Sequence, residues 1–189
     1  MTAFFLSFPF KMKALQQYGP VFEEEEIHKN KMLHLYRTKG AEAFSRENLE
    51  AHFTASAWIT NPHTNEVLLI HHKKLNKWLQ PGGHADGETD LEKVARKEAN
   101  EETGLSNLLL VSDMPFDIDI HIIPENKGVP QHYHYDVRFA YFCSDKNDTQ
   151  INHESNDFQW VNINQVEQLT KEPSLLRMVE KSKTILNGK

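Results

Sequence analysis

The chain has 189 residues, of which 39% are hydrophobic and 25% charged, and a formal net charge of −6. That length suits one domain with an extension and can bury a full core, while the acidic balance argues against a broad nucleic-acid surface, though not against a short nucleotide. The single Cys143 cannot close an internal disulfide, which fits a reducing, cytoplasmic setting, and no apolar run is long enough to span a membrane.

The opening apolar run, residues 3–10, is short and is interrupted by Ser7 and Pro9. It lacks a basic region before it and a clear cleavage site after it, so it is not read as a signal peptide. Residues 1–50 read as a helical N-terminal extension, with helices over residues 11–17 and 23–38 separated by Gly19-Pro20. The run Glu23-Glu24-Glu25-Glu26 is expected to be a solvated first turn, where the helix dipole favours acidic side chains. The extension would either pack on the rest of the chain or form a homodimer contact.

Residues 51–189 read as the main domain. Strands are expected over residues 52–60 and 66–72, joined by the turn Asn61-Pro62-His63-Thr64-Asn65. Arg46 and His52 flank the first strand, with substrate, surface and capping roles all open. Trp78-Leu79-Gln80 then leads into Pro81-Gly82-Gly83, whose glycines allow a tight loop. A helix of about 12–14 residues follows. Thr89 and Glu92 have the spacing of a capping box, and Gly104 sits where a C-cap is expected.

That helix carries the most informative pattern in the chain. Glu98, Glu101 and Glu102 fall within roughly a 100° arc. Leu91, Val94 and Ala95 occupy the same stripe earlier, so the stripe expected to face the core turns from apolar to triply acidic. Three inward carboxylates near a helix C-terminus repel one another and sit at the negative end of the dipole. A divalent cation is the simplest compensation, and all-oxygen ligands favour Mg²⁺ or Mn²⁺.

The stretch from Gly83 to Leu105 resembles a Nudix box, whose pattern is G-x5-E-x7-R-E-U-x-E-E-x-G-U with U aliphatic. Glu98, Glu101, Glu102, Gly104 and Leu105 fall on the pattern without a gap. Two positions depart from it: the first glutamate is Thr89, with Glu88 next door, and the arginine is Lys97, with Arg96 before it but rotated about 100° around the helix. Lysine lacks a bidentate fork, so the glutamate it would orient is held more loosely. The resemblance implies an α/β/α sandwich around a mixed β-sheet. It also implies metal ligation by Glu98, Glu101, Glu102 and the Gly83 carbonyl. Glu154, a few residues before Trp160, corresponds to a loop glutamate that acts as ligand or general base in many such proteins.

Downstream strands are expected over residues 108–112, 116–123, 132–143 and 159–161, then a short helix from about Asn164 and an amphipathic one after Pro173. Alternation puts Asp117, Asp119 and His121 on one face, and His132, His134, Asp136 and Arg138 on one face of the next long strand. If the two strands pair, these polar faces meet. Three readings stay open: a substrate wall in which Arg138, His121 and His134 donate to phosphates, a second metal site of His and Asp ligands suited to Zn²⁺ or Mn²⁺, and an ordinary half-exposed hairpin. His84, beside Gly83, would touch a phosphate or hold the loop.

The chemistry implied is metal-dependent hydrolysis of a phosphoanhydride in a nucleoside diphosphate linked to another group, with Glu98 or Glu154 taking the proton. A non-hydrolytic nucleotide-binding or regulatory module is the alternative, because Thr89 and Lys97 leave the pattern. Nothing downstream of the box assigns the substrate, and long RNA is the least attractive candidate given the acidic charge.

Overall fold

The computed structural model describes residues 10–126 and 128–187. Residues 3–9 of the opening apolar run lie outside them. Two helices come first, α1 (Phe10–Gln17) and α2 (Glu23–Lys39), broken at Gly19-Pro20 as expected. A short 3-10 turn, Gly40–Phe44, leads to the central strand β1 (Ala51–Asn61).

β1 and β2 (Glu66–His72) meet at a turn in which the Asn61 side-chain oxygen accepts from the backbone N–H groups of His63 and Thr64, at 2.9 and 3.2 Å. Two short strands follow, β3 (Lys77–Leu79) and β4 (Gly82–His84), then helix α3 (Leu91–Thr103). The chain continues through β5 (Leu109–Leu110), β6 (Asp117–Ile123), β7 (His132–Phe142), β8 (Ser155–Asn162), a 3-10 segment Ile163–Gln168 and helix α4 (Pro173–Asn187). Proline at the first position of α4 fits, because its missing N–H would be unpaired there anyway.

The sheet is mixed. β1 runs parallel to β7 in an unbroken register from Ala51↔Tyr133 to Thr60↔Phe142. Its other edge is shared by two antiparallel partners, β4 near the start and β2 at the end. β8 pairs along the whole of β2 and β3 pairs with its end, while β5 and β6 lie beyond β7. Every residue of β1 is buried. Phe53, Ala55, Ala57 and Ile59 share a core with Leu91, Val94, Ala95 and Ala99 of α3. Trp58 points the other way, into a core with Leu69, Val161, Leu175 and Met178, and donates to Ser182 Oγ at 2.7 Å. Helices therefore cover both faces, the α/β/α arrangement expected.

The N-terminal helices are part of this packing. Met12 and Leu15 of α1 and Met32 and Leu33 of α2 join the α3-side core, and α2 packs along β6. Glu25 corrects the reading of a solvated first turn. It is fully buried, accepts from the Val21 and Phe22 N–H groups at 2.9 Å each, and pairs with Lys181 and Tyr18. Glu23, Glu24 and Glu26 are exposed.

Candidate active site

Glycine is needed in β4 for close approach rather than for a tight loop. Neither Gly82 nor Gly83 has a positive φ, and both pair with β1 in regular register. A Cβ at Gly82 would run into Ser56 and stand 2.8 Å from the Ala55 carbonyl; one at Gly83 would lie 2.5 Å from Glu98 Cδ. The bare backbone lets α3 bring its carboxylates onto the strand.

α3 is framed differently at its start from the expected capping box. Asp90 is the N-cap, accepting from Lys93 N at 3.3 Å, and Glu92 turns to Arg96 (2.9 Å) and Tyr141 Oη (3.2 Å). Aspartate is as good an N-cap as threonine, and the buried tyrosine gives Glu92 a second partner. Gly104 ends the helix at φ 71°, in the left-handed region expected of a C-cap.

The three glutamates do not all face inward. Glu102 is 4% exposed and accepts from Gly82 N at 2.8 Å; Glu98 is mostly covered against Gly83; Glu101 is exposed. The buried stripe passes through Ala95, Ala99, Glu102 and Thr103, so Glu101 falls on its outer margin. Burial pushes the Glu102 carboxyl up to about 7 against the Gly82 hydrogen bond, with the charges of Glu98, Glu154 and Glu101 adding to the rise. Glu154 is itself exposed, in a turn where Asn152 accepts from its N–H at 2.9 Å.

Lys97 places its ammonium 3.1 Å from both Glu98 Oε1 and Glu101 Oε2. A single point charge thus spans two carboxylates, and these contacts, Glu101 first, raise its own pKa. Glu88 does not take the place of the missing glutamate. It holds the helix start, pairing with Lys93 at 2.6 Å and accepting from Asp90 N at 3.0 Å. Arg96 faces away, donating to Glu92 and to the Leu108 carbonyl (2.8 Å) with its guanidinium over the Tyr141 ring. Arg46 pairs with Asp86, Nε to Oδ1 at 2.6 Å.

The polar faces of β6 and β7 do meet, with Asp117↔Arg138, Asp119↔Asp136 and His121↔His134 in register. Arg138, weighed for a substrate wall, is placed inside the protein. Arg138 is 2% exposed and donates to Asp136 (2.8 Å), Asp117 (3.1 Å) and Asp119 (3.2 Å), which leaves its fork committed within the protein. Arg177 of α4 donates to Asp117 and Asp119 and Lys181 to Asp117, while Thr54 and Ser56 donate to Asp136. Alternation along β7 located the polar face but could not show that α4 covers it. Arg177 and Lys181 escaped sequence reading because Asp117 lies about sixty positions away from them.

Further along the same face stand five histidines: His52, His84, His121, His132 and His134. His84 and His134 have ring centroids 4.8 Å apart, and His121 lies 5.4 Å from His134. Burial pushes His84 down to about 4 and His134 to about 2, so both rings are neutral. His52 is the member that sequence reading left unassigned; its place two residues before Thr54 on the polar side of β1 was the available signal.

Solved structures share this fold. An Ap4A hydrolase from C. elegans is 20% identical, with a TM-score of 0.55 over 72% of this chain and 98% of its own. The E. coli dihydroneopterin triphosphate pyrophosphohydrolase is 16% identical, with a TM-score of 0.57 over 71% and 95%. A NUDIX-family hydrolase from Clostridium perfringens is 24% identical, with a TM-score of 0.55 over 71% and 97%. No curated protein matches the chain in sequence. Residues 50–181 match the model of the NUDIX domain, and the chain belongs to the Nudix family.

Proposed function

We propose that the chain is a metal-dependent hydrolase that cleaves a phosphoanhydride bond in a nucleoside diphosphate linked to another group. The observation that carries this reading is Glu102, a buried carboxylate bonded to the β4 backbone with Glu98 beside the next glycine. Burial and the neighbouring carboxylates raise its pKa, and a bound cation would stabilise the ionised form instead. The donor set fits Mg²⁺ or Mn²⁺: Glu98, Glu101, Glu102 and the Gly83 carbonyl are all hard oxygens.

When bound, a divalent ion would offset the diphosphate charge and acidify a water. The chain's own residues do the rest. Gly82 N–H orients Glu102, Lys97 orients Glu98 and Glu101, and Glu154 or Glu98 takes the proton. His84 and His121 stand beside His134 on the other face of the sheet from Glu98 and take no part in this step. The neighbours named for Ap4A and dihydroneopterin triphosphate, and a NUDIX domain from Shewanella oneidensis NrtR complexed with ADP ribose, suggest the substrates to try first. The second reading, a nucleotide-binding module without turnover, rests on Lys97 partly neutralising two ligand carboxylates and on Thr89 at a glutamate position.

The test is phosphate or nucleotide release from a panel of nucleoside diphosphate derivatives, with Mg²⁺, Mn²⁺ or chelator, beside Glu102→Gln. Metal-dependent turnover that falls roughly 100-fold or more in the variant is expected. Nucleotide binding without turnover in any metal would establish the second reading instead.

A further inference from the structure

The histidines on the polar face of β1 and β7 form an arrangement that neither the Nudix glutamates nor the buried ion pairs use. His52 is 1% exposed. Its Nδ1 lies 3.0 Å from the Asn48 carbonyl, and its Nε2 is buried without a hydrogen-bond partner. His132 repeats the pattern: Nδ1 is 2.8 Å from the Pro130 carbonyl, and Nε2 is 3.3 Å from Nε2 of His134. A carbonyl can only accept, so Nδ1 carries a proton in both rings, and in the neutral form Nε2 is the lone pair. One ligand atom from each of His52, His132 and His134 lies within 4.8 Å of the others. A hydrogen bond between His134 and His132 would account for that pair alone and would leave His52 Nε2 buried and unsatisfied. A buried nitrogen left unsatisfied in this way is unfavourable.

We propose that His52, His132 and His134 bind one divalent transition-metal ion, Zn²⁺ by preference, through their Nε2 atoms. Zinc holds imidazole nitrogens at about 2.0–2.1 Å, so two tetrahedral ligands lie roughly 3.3–3.4 Å apart, the spacing already present between His132 and His134. The carbonyls of Asn48 and Pro130 supply the outer hydrogen bonds that metal-binding histidines ordinarily have. Burial holds His52 and His134 neutral, the state a metal requires.

The ligand set contains no carboxylate. Asp117, Asp119 and Asp136 lie on the same face but are paired with Arg138 and, for the first two, Arg177. His84, with its ring centroid 5.2 Å from His52 and 4.8 Å from His134, is the neighbouring ring for a fourth position, which a water fills otherwise. The site is separate from the glutamates. His84 is in register with Thr54, whereas Gly83, which faces Glu98, is in register with Ala55. Successive residues of a strand face opposite sides of a sheet, and the chemistry differs as well, nitrogen ligands against oxygen.

The experiment titrates the chelator-treated full chain with Co²⁺, a spectroscopic substitute for Zn²⁺. One equivalent should give the intense visible band of a four-coordinate nitrogen site, displaced by Zn²⁺. The band should persist in Glu102→Gln and be lost, or weakened by more than 100-fold in affinity, in His134→Gln with unchanged circular dichroism. X-ray absorption of the Zn²⁺-loaded wild-type chain counts imidazole ligands without any substitution, so a variant that fails to fold leaves the test intact. Three or four imidazoles are expected. No such band in the wild type, a band lost with Glu102 but kept without His134, or an oxygen-only shell would overturn the site.

Discussion

At the scale of single residues, Glu102 carries the argument. Its carboxyl is raised from 4.5 to about 7, burial being the largest cause. A raised carboxyl means that the folded, metal-free chain binds that proton more tightly than the unfolded chain. The stabilisation is full below about 4.5 and is lost as pH rises through about 7, where the ionised group costs on the order of 3 kcal/mol. Glu102→Gln removes this dependence. In chelator, urea unfolding should therefore show the variant's stability relative to wild type growing between pH 5 and pH 8. A constant difference would mean that Glu102 ionises freely. The spacing of Glu98, Glu101 and Glu102 was legible in the sequence, but their unequal burial was not. Which carboxylate goes inside depends on the backbone of β4, which glycine leaves without any side-chain pattern to read.

At the scale of elements, β4 makes two adjacent glycines separable. At Gly82 an added methyl meets the Ala55 carbonyl at 2.8 Å, which is backbone and cannot swing aside. Gly82→Ala should cost about 1–3 kcal/mol in a urea melt. At Gly83 the obstacle is the end of the Glu98 side chain, which can move. Gly83→Ala should lower kcat through the displaced carboxylate while shifting the melt less than Gly82→Ala does. Equal effects on the melt would contradict this. The β6–β7 hairpin makes a contrasting case. Alternation correctly aligned Asp117, Asp119, Arg138 and His134 on one face, yet Arg138 holds the interior together rather than reaching outward. Arg138→Ala strands charged aspartates in the core and should cost about 3–5 kcal/mol, with activity falling only as folding does. A binding defect in a fully stable variant would restore the substrate-wall reading.

At the scale of the whole molecule, α2, α4 and the β6–β7 hairpin are joined by one buried ionic network. Asp117, Asp119, Asp136 and Glu25 meet Arg138, Arg177 and Lys181. Burial opposes the charges on Asp119 and Glu25, but Arg138, His121 and Arg177 around the first, and Lys181 and Tyr18 around the second, hold both pKa values below the ordinary 3.8 and 4.5. Their contribution is present above those values and is lost as pH falls through the depressed ones. Acid unfolding monitored by circular dichroism should therefore steepen below about pH 4 and be less steep in Glu25→Gln. Strand and helix order was readable because hydrophobic periods of two and of 3.6 residues are local. This network was not, since Glu25 and Lys181 are 156 positions apart.

The family match begins at residue 50, yet α1 and α2 lie before it and are anything but an appendage. Glu25 and Tyr18 are bonding partners of Lys181, and Met12, Leu15 and Met32 share the core of Phe53, Ile118 and Phe139. Cutting the chain at that boundary would uncover an apolar wall and leave a buried lysine without two of its partners. In this protein the segment that matches the family rests on the two helices that precede it.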